Sequence, residues 1–244
     1  HNNKIRIGHL SGNKFYIKLK KVTPTAAVKI DEALKSITAY GMPNFFGYQR
    51  FGNDANNHID GKMIAKGEKR ERNPKVRQLL ISAYQSHLFN LWLSRRLEIS
   101  ALVAKFEPSE LETLLAMPKG ELEQMKMQTH PFKLMSGDVM EHYPHGRLFE
   151  FTQDELERFY KRDITVTGLL SGKKTKRASG LAGDIEKEFY DEIDEDGARR
   201  YAWIFPSDID GRYKDEEAQY ELNFYLPKGS YATVLIEEIA KREI

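Results

Sequence analysis

Alternation is the first signal along the chain. In "NKFYIKLK" at 13–20, Phe15, Ile17 and Leu19 fall on one side and Tyr16, Lys18 and Lys20 on the other, which predicts a half-buried strand. The period then lengthens. Thr23 and Pro24 give a cap and a first helical position, and Ile30, Ala33, Leu34 and Ile37 form one apolar stripe that Gly41 ends. Asn73 and Pro74 repeat the signal for a long helix through about Arg96, with Val76, Leu79, Leu80, Ala83, Leu88 and Leu91 on its expected buried side.

The middle of the chain is more heavily punctuated. Ser109 with Glu112, and Thr152 with Glu155, match the capping box and predict short helices. Between them "PFKLMSGDVMEHYPHGRLFEF" predicts hairpin strands around Gly137 and Gly146, and the acidic stretch near 184–196 predicts a helix. Alternation returns in "QYELNFYL" at 219–226, with Tyr220, Leu222, Phe224 and Leu226 facing inward. Pro227 and Gly229 then turn the chain, and Ser230 is the expected cap of a last helix bearing Ala232, Leu235, Ile236 and Ile239.

Strand followed by helix therefore stands at both ends. This predicts one α+β domain built from both termini and interrupted by an insertion, rather than two consecutive domains, because no Pro/Gly/Ser-rich connector divides the chain. The expected parts are 1–58, an insertion at 59–204, and 205–244.

Composition narrows the class. Hydrophobic residues make up 40% of the 244 positions, enough for a globular core, and no apolar run approaches a membrane span. With no cysteine there are no disulfides or thiolate metal sites, and a cytoplasmic location is the default. The net charge of +2 announces no partner, but its distribution is uneven. Residues 62–77 hold seven basic side chains against two acidic, "KKTKR" at 173–177 adds a second basic run, and 184–196 holds eight acids against one lysine. Each run taken alone reads as a solvated face.

Three chemical signatures fail on spacing. "GLLSGKKT" at 168–175 has three residues between its glycines where a phosphate-binding loop has four, and Lys174 where that loop has Ser or Thr. Glu141, His142 and His145 lie around a turn in which histidine spacing carries little meaning, so no metal is expected. Ser86 and His87 point about 100° apart on a helix and cannot pair as nucleophile and base.

One stretch has no place in a regular element. "GMPNFFGYQRFG" at 41–52 sets aromatic rings, a glutamine and an arginine among three glycines and a proline, on a loop. Together with "NKIRIGHLSGNKFYIKLK" at 3–20, "LLISAYQSHLFNLWLSRRL" at 79–97 and "NFYLPKGSYATVLIEEI" at 223–239, it resembles the TruD family of tRNA pseudouridine synthases, in family order from end to end. The resemblance implies a pseudouridine-synthase-like catalytic domain formed from both ends, with an inserted α/β TRUD domain that the family definition sets at about 41–204.

It also implies chemistry. A uridine of tRNA, at position 13 in the family, is flipped out and isomerised by a covalent aspartate, with neither cofactor nor metal, in a protein expected to be monomeric. Carried over by motif, "GN-x-F" falls on Asn13 and Phe15, and the aromatic of "GS-[FY]-AT" on Tyr231, where the family usually has Phe; these are the expected substrate-binding residues. Phe15 also fits a core position by its alternation with Ile17 and Leu19. Gln49, Arg50 and Phe51 of "QRFG" either touch RNA or support the loop, and Lys69, Arg70 and Arg72 are expected on an RNA-binding surface. An arginine fork suits a phosphate, and aromatic faces suit bases.

One departure qualifies the match. The family's nucleophile stands in a "G-x-KD" element upstream of the stretch aligned with residue 3. No such element occurs here: Lys214 and Asp215 follow Gly211, Arg212 and Tyr213, and Asp54 has only its nearness to the loop. The chain looks like the C-terminal two thirds of the enzyme, with its catalytic aspartate expected upstream of His1 and the chain alone expected to be inactive. The second reading is a noncatalytic RNA-binding protein derived from the same fold.

Overall fold

The computed structural model describes residues 11–241. In chain order the elements are β1 (Gly12–Lys20), α1 (Pro24–Tyr40), β2 (Met42–Pro43), a 3-10 turn (Tyr48–Phe51), α2 (Asn57–Ala65) and α3 (Pro74–Lys105). There follow α4 (Pro108–Leu115), α5 (Lys119–Met127), β3 (Val139–His142), β4 (Leu148–Glu150), a 3-10 turn (Gln153–Glu155), α6 (Leu156–Tyr160) and β5 (Ile164–Leu170). The last are α7 (Gly180–Glu188), β6 (Ala198–Tyr201), β7 (Trp203–Ile204), β8 (Ser207–Lys214), β9 (Gln219–Pro227) and α8 (Ala232–Ala240).

Two units result. One takes in both ends of the chain, up to Asn44 and from Trp203 onward; the other is Phe45–Ala202. In the first, antiparallel strands run in the order β1, β9, β8, with Phe15 opposite Phe224 and Leu19 opposite Tyr220. The alternation of β9 buries Tyr220, Leu222, Phe224 and Leu226. Helix α1 starts as its cap predicts: the Thr23 hydroxyl accepts from the amide of Ala26, and Ile30, Leu34 and Ile37 are buried. Gly41 ends it at φ 82°, and a Cβ there would meet the Ile204 carbonyl, so the chain can enter β2 beside β7 only with glycine at this position.

The second unit is a four-stranded antiparallel sheet in the order β4, β3, β5, β6, with the 32-residue α3 packed against β5. Gly168 in β5 lets Phe89 and Trp92 of α3 lie directly on the strand, since a Cβ there would run into the Trp92 ring. The first glycine of the imitation phosphate loop is thus a helix-packing position. The core includes Phe89, Trp92, Leu93, Ile99, Phe132, Leu134, Val139, Phe159 and Val166. A smaller cluster of Ile64, Leu80, Ile81, Tyr84 and Ile193 seats α2 against the start of α3.

Four sequence expectations are corrected here. Val76, Leu79 and Leu91 are exposed, because α3 turns Leu80, Ile81, Tyr84, Phe89 and Trp92 inward. The cap at α4 is Glu107, with Glu110 completing the box, because Pro108 takes the first helical position and leaves Ser109 inside the helix. The side chains of Thr152 and Ser230 make no cap hydrogen bond; Tyr231 holds the residue position before α8, and the Ser230 hydroxyl is buried without a hydrogen-bond partner among the described residues. The acidic stretch is helical only as far as Glu188. Beyond it the carboxylates are spread out to meet cations: Asp191 binds Lys66, Asp194 binds Lys173, Glu195 binds Arg77 and Asp196 binds Lys174.

Candidate functional site

The residues carried over from the motifs fall on both units. In the first unit, Asn13 lies opposite Leu226 and Phe15 opposite Phe224. The rings of Phe15 and Phe224 stack at 5.3 Å and 20°. Phe224 is fully buried while Phe15 is half-buried, so Phe15 spends one ring face on the core and Asn13 is exposed beside it. The ladder continues past the strand end, where the Lys228 amide donates to the Ser11 carbonyl at 2.9 Å. After the turn at Gly229 the half-buried Tyr231 heads α8. The start of β1 and the segment that leads into Tyr231 are therefore neighbours across a ladder, although more than two hundred positions separate them.

In the second unit the loop is pinned at several points. The Asn90 side chain of α3 holds both polar groups of one peptide position: its oxygen accepts the Phe46 amide at 2.9 Å, and its nitrogen donates to the Phe46 carbonyl at 3.0 Å. The Arg200 guanidinium covers the Phe46 ring at 3.8 Å, and Phe89 meets that ring edge-on. Arg50 Nε donates to Ser86 Oγ at 3.1 Å, and Ser86 donates in turn to the Ser82 carbonyl. Phe51 turns inward against His58 and His87, whose rings lie 4.1 Å apart. Burial, with the nearby charges of His58 and Lys62, lowers the His87 pKa and favours the neutral form of that ring.

Gln49 is exposed and Arg50 half-buried. Beyond its Nε bond, the Arg50 fork has no hydrogen bond or ion pair among the described residues. The loop thus has a supported side, built from Phe46, Phe51 and the Arg50 Nε, and an outer side. Asn90, Ser86, Arg200 and His58 were not singled out from sequence for this role. A polar Asn90 between the apolar Phe89 and Leu91 was the available hint.

The basic segment divides in the same way. Lys66 binds Asp191 at 2.5 Å, Lys69 binds Asp60 at 2.8 Å, and Arg77 binds Glu195. Lys62, Arg70, Arg72 and Lys75 are exposed and form no ion pair among the described residues. Asp191 also accepts the Tyr84 hydroxyl at 2.7 Å; burial and this carboxylate push the Tyr84 phenol above its ordinary range. Lys69 is thus a strut, whereas Arg70 and Arg72 have unspent charge. Elsewhere, Glu141 lies within reach of the Tyr201 hydroxyl and His142 of Arg158, and no group of three or more His, Cys, Asp or Glu is placed to hold a metal among the described residues. No described helix is long and apolar enough to cross a membrane.

An α+β unit closed by both chain ends thus carries an inserted second unit, with an aromatic, arginine-bearing loop where the chain enters it. The family model of tRNA pseudouridine synthase D (TruD) matches residues 1–72 and 70–239, and the chain belongs to this family. It is 75% identical over 246 residues to the tRNA pseudouridine synthase D of Sulfurimonas denitrificans, a match that covers all of this chain and 69% of that protein. The protein of the same name from Wolinella succinogenes is 55% identical over 248 residues, with the same coverage. Among solved structures, a TruD from Methanosarcina mazei superposes with a TM-score of 0.54 at 20% identity, over 97% of this chain and 70% of that one, and supports the fold.

Proposed function

We infer that this chain serves in a tRNA pseudouridine synthase, an isomerase that detaches uracil from its ribose and rejoins it through carbon, with the nucleophile supplied by a G-x-KD element. Its 75% identity across the whole chain to a relative of that name carries the reading. We propose further that the target is the family's position 13 of tRNA, and that the uridine is flipped out of its stack before reaction. Flipping costs a few kcal/mol, which contacts to the freed base must offset. Phe15, anchored on Phe224, offers a preorganised ring, and exposed Asn13 offers an amide to the base edge. Tyr231, at the head of α8, completes the proposed substrate set.

The proposed nucleophile is an aspartate in a G-x-KD element, and no aspartate of these 244 residues stands in one. A cytoplasmic, monomeric enzyme fits the reading. The direct test joins the chain to the G-x-KD segment of a full-length relative and maps pseudouridine in unmodified tRNA by chemical stop. Conversion at one uridine is expected. Tight tRNA binding with no conversion would select the second reading, a noncatalytic RNA-binding protein.

Gripping of the tRNA backbone is proposed for the free cations of 62–77. Each phosphate that the protein ceases to neutralise reduces the slope of log affinity against log salt by about one. Replacing Arg70 and Arg72 by Ala is expected to lower that slope by about two, whereas Lys69→Ala, already paired with Asp60, changes it little. An unchanged slope in the Arg70 and Arg72 variant would return the segment to a solvated face, and a slope lowered as much by Lys69→Ala would mean that Lys69 leaves Asp60 for phosphate.

A further inference from the structure

The loop Phe45–Phe51 has four aromatic side chains, and three of them are accounted for. Phe46 lies under Arg200 and against Phe89, Phe51 rests on the histidine pair, and Phe45 is half-buried with its carbonyl facing Arg200. Tyr48 is different. At 58% it is the most exposed aromatic among the described residues, and its side chain makes no hydrogen bond, ring or ion contact there. The next most exposed, Tyr16, is engaged by Lys18 and Glu221.

Single exposed tyrosines are common and by themselves mean nothing. Two further features set this one apart. It stands on a 3-10 turn whose base is fixed on both flanks: the Asn90 amide clamps Phe46 before it, and Arg50 and Phe51 are held by Ser86 and the histidines after it. A ring on such a support loses little conformational freedom when a partner covers it. The residues beside it are suited to nucleic acid: Gln49 is exposed, and the Arg50 fork still has donors to give. An open ring face next to an amide and an unspent guanidinium matches an unstacked base and its phosphate.

We propose that Tyr48 is an RNA-contact residue of this enzyme, stacking on an unpaired base of the tRNA. This rests on the synthase reading for the identity of the RNA, and it divides the loop's roles: Phe46 and Phe51 support, while Tyr48, with Gln49 and the Arg50 fork beside it, faces the substrate. The ring, not the hydroxyl, is the contacting part.

The test is equilibrium binding of unmodified tRNA to the 244-residue chain at fixed salt, for the wild type, Tyr48→Ala, Tyr48→Phe and Tyr48→Trp. Loss of one stacked base is expected to weaken binding about 5- to 100-fold in Tyr48→Ala, with Phe and Trp within about threefold of wild type. The thermal midpoint should move little, because the side chain is mostly exposed and makes no hydrogen bond, ring or ion contact among the described residues. Unchanged affinity in Tyr48→Ala would overturn the proposal, as would Tyr48→Phe binding as weakly as Tyr48→Ala. Wild-type chain that binds tRNA no better than double-stranded DNA would instead count against the synthase reading itself.

Discussion

Asp138→Ala is expected to destabilise the unit Phe45–Ala202 by about 3–5 kcal/mol. Arg96 is wholly buried, and its guanidinium meets both oxygens of Asp138, at 2.5 and 2.9 Å. It also donates to the Lys133 carbonyl and lies over the rings of Phe132 and Trp92. Asp138 in turn accepts the Met135 amide and so fixes the bend that leads into β3. Removing the carboxylate leaves a buried cation with no counter-charge, which is the costly half of breaking such a pair. Replacing both residues by leucine removes the charge as well, so the double variant should lose less than Asp138→Ala alone. Urea unfolding of the two variants and the wild type checks this; a loss below about 1 kcal/mol in Asp138→Ala would mean that water reaches Arg96.

The second large effect is on turnover. The chain alone is expected to bind tRNA and to form no pseudouridine, whereas the same chain joined to a G-x-KD segment turns over. A covalent route needs a carboxylate held against the uracil ring, and the proposed wall of Asn13, Phe15 and Tyr231 supplies an amide, a phenyl ring and a phenol. None of these is a carboxylate nucleophile. Turnover by the unextended chain would place the nucleophile within it, and Asp54 would be the first aspartate to replace.

Much of the fold was legible because local signals agreed with one another. Thr23, Pro24 and Gly41 bracket α1, and the alternation of β9 carries directly into its burial. The buried side of α3 was misread at Val76, Leu79 and Leu91, since apolar residues are found all round this helix and the choice of face lies with α2 and β5. The stretch 191–196 has helix-forming acids, but four cations distant in sequence hold its carboxylates apart. The Arg96–Asp138 pair spans 42 positions and left no local trace.

The candidate site shows the same division. The composition of 41–52 announced a loop with a purpose, and motif resemblance singled out Asn13, Phe15 and Tyr231. Which of the loop's aromatics point outward depends on Asn90, Ser86, His58 and Arg200, which meet it only after folding. The stack of Phe15 on Phe224 is a core contact, and it holds the ring in the orientation that the proposed substrate role would use.

Release of tritium tests the central claim most directly. When uracil rejoins ribose through C5, the hydrogen on that carbon leaves to solvent, so tRNA labelled at uridine C5 reports isomerisation and not mere binding. With the chain joined to the G-x-KD segment, release of one tritium per converted tRNA is predicted, and none with the chain alone. Stoichiometric tRNA binding without any release by the joined protein would contradict the account.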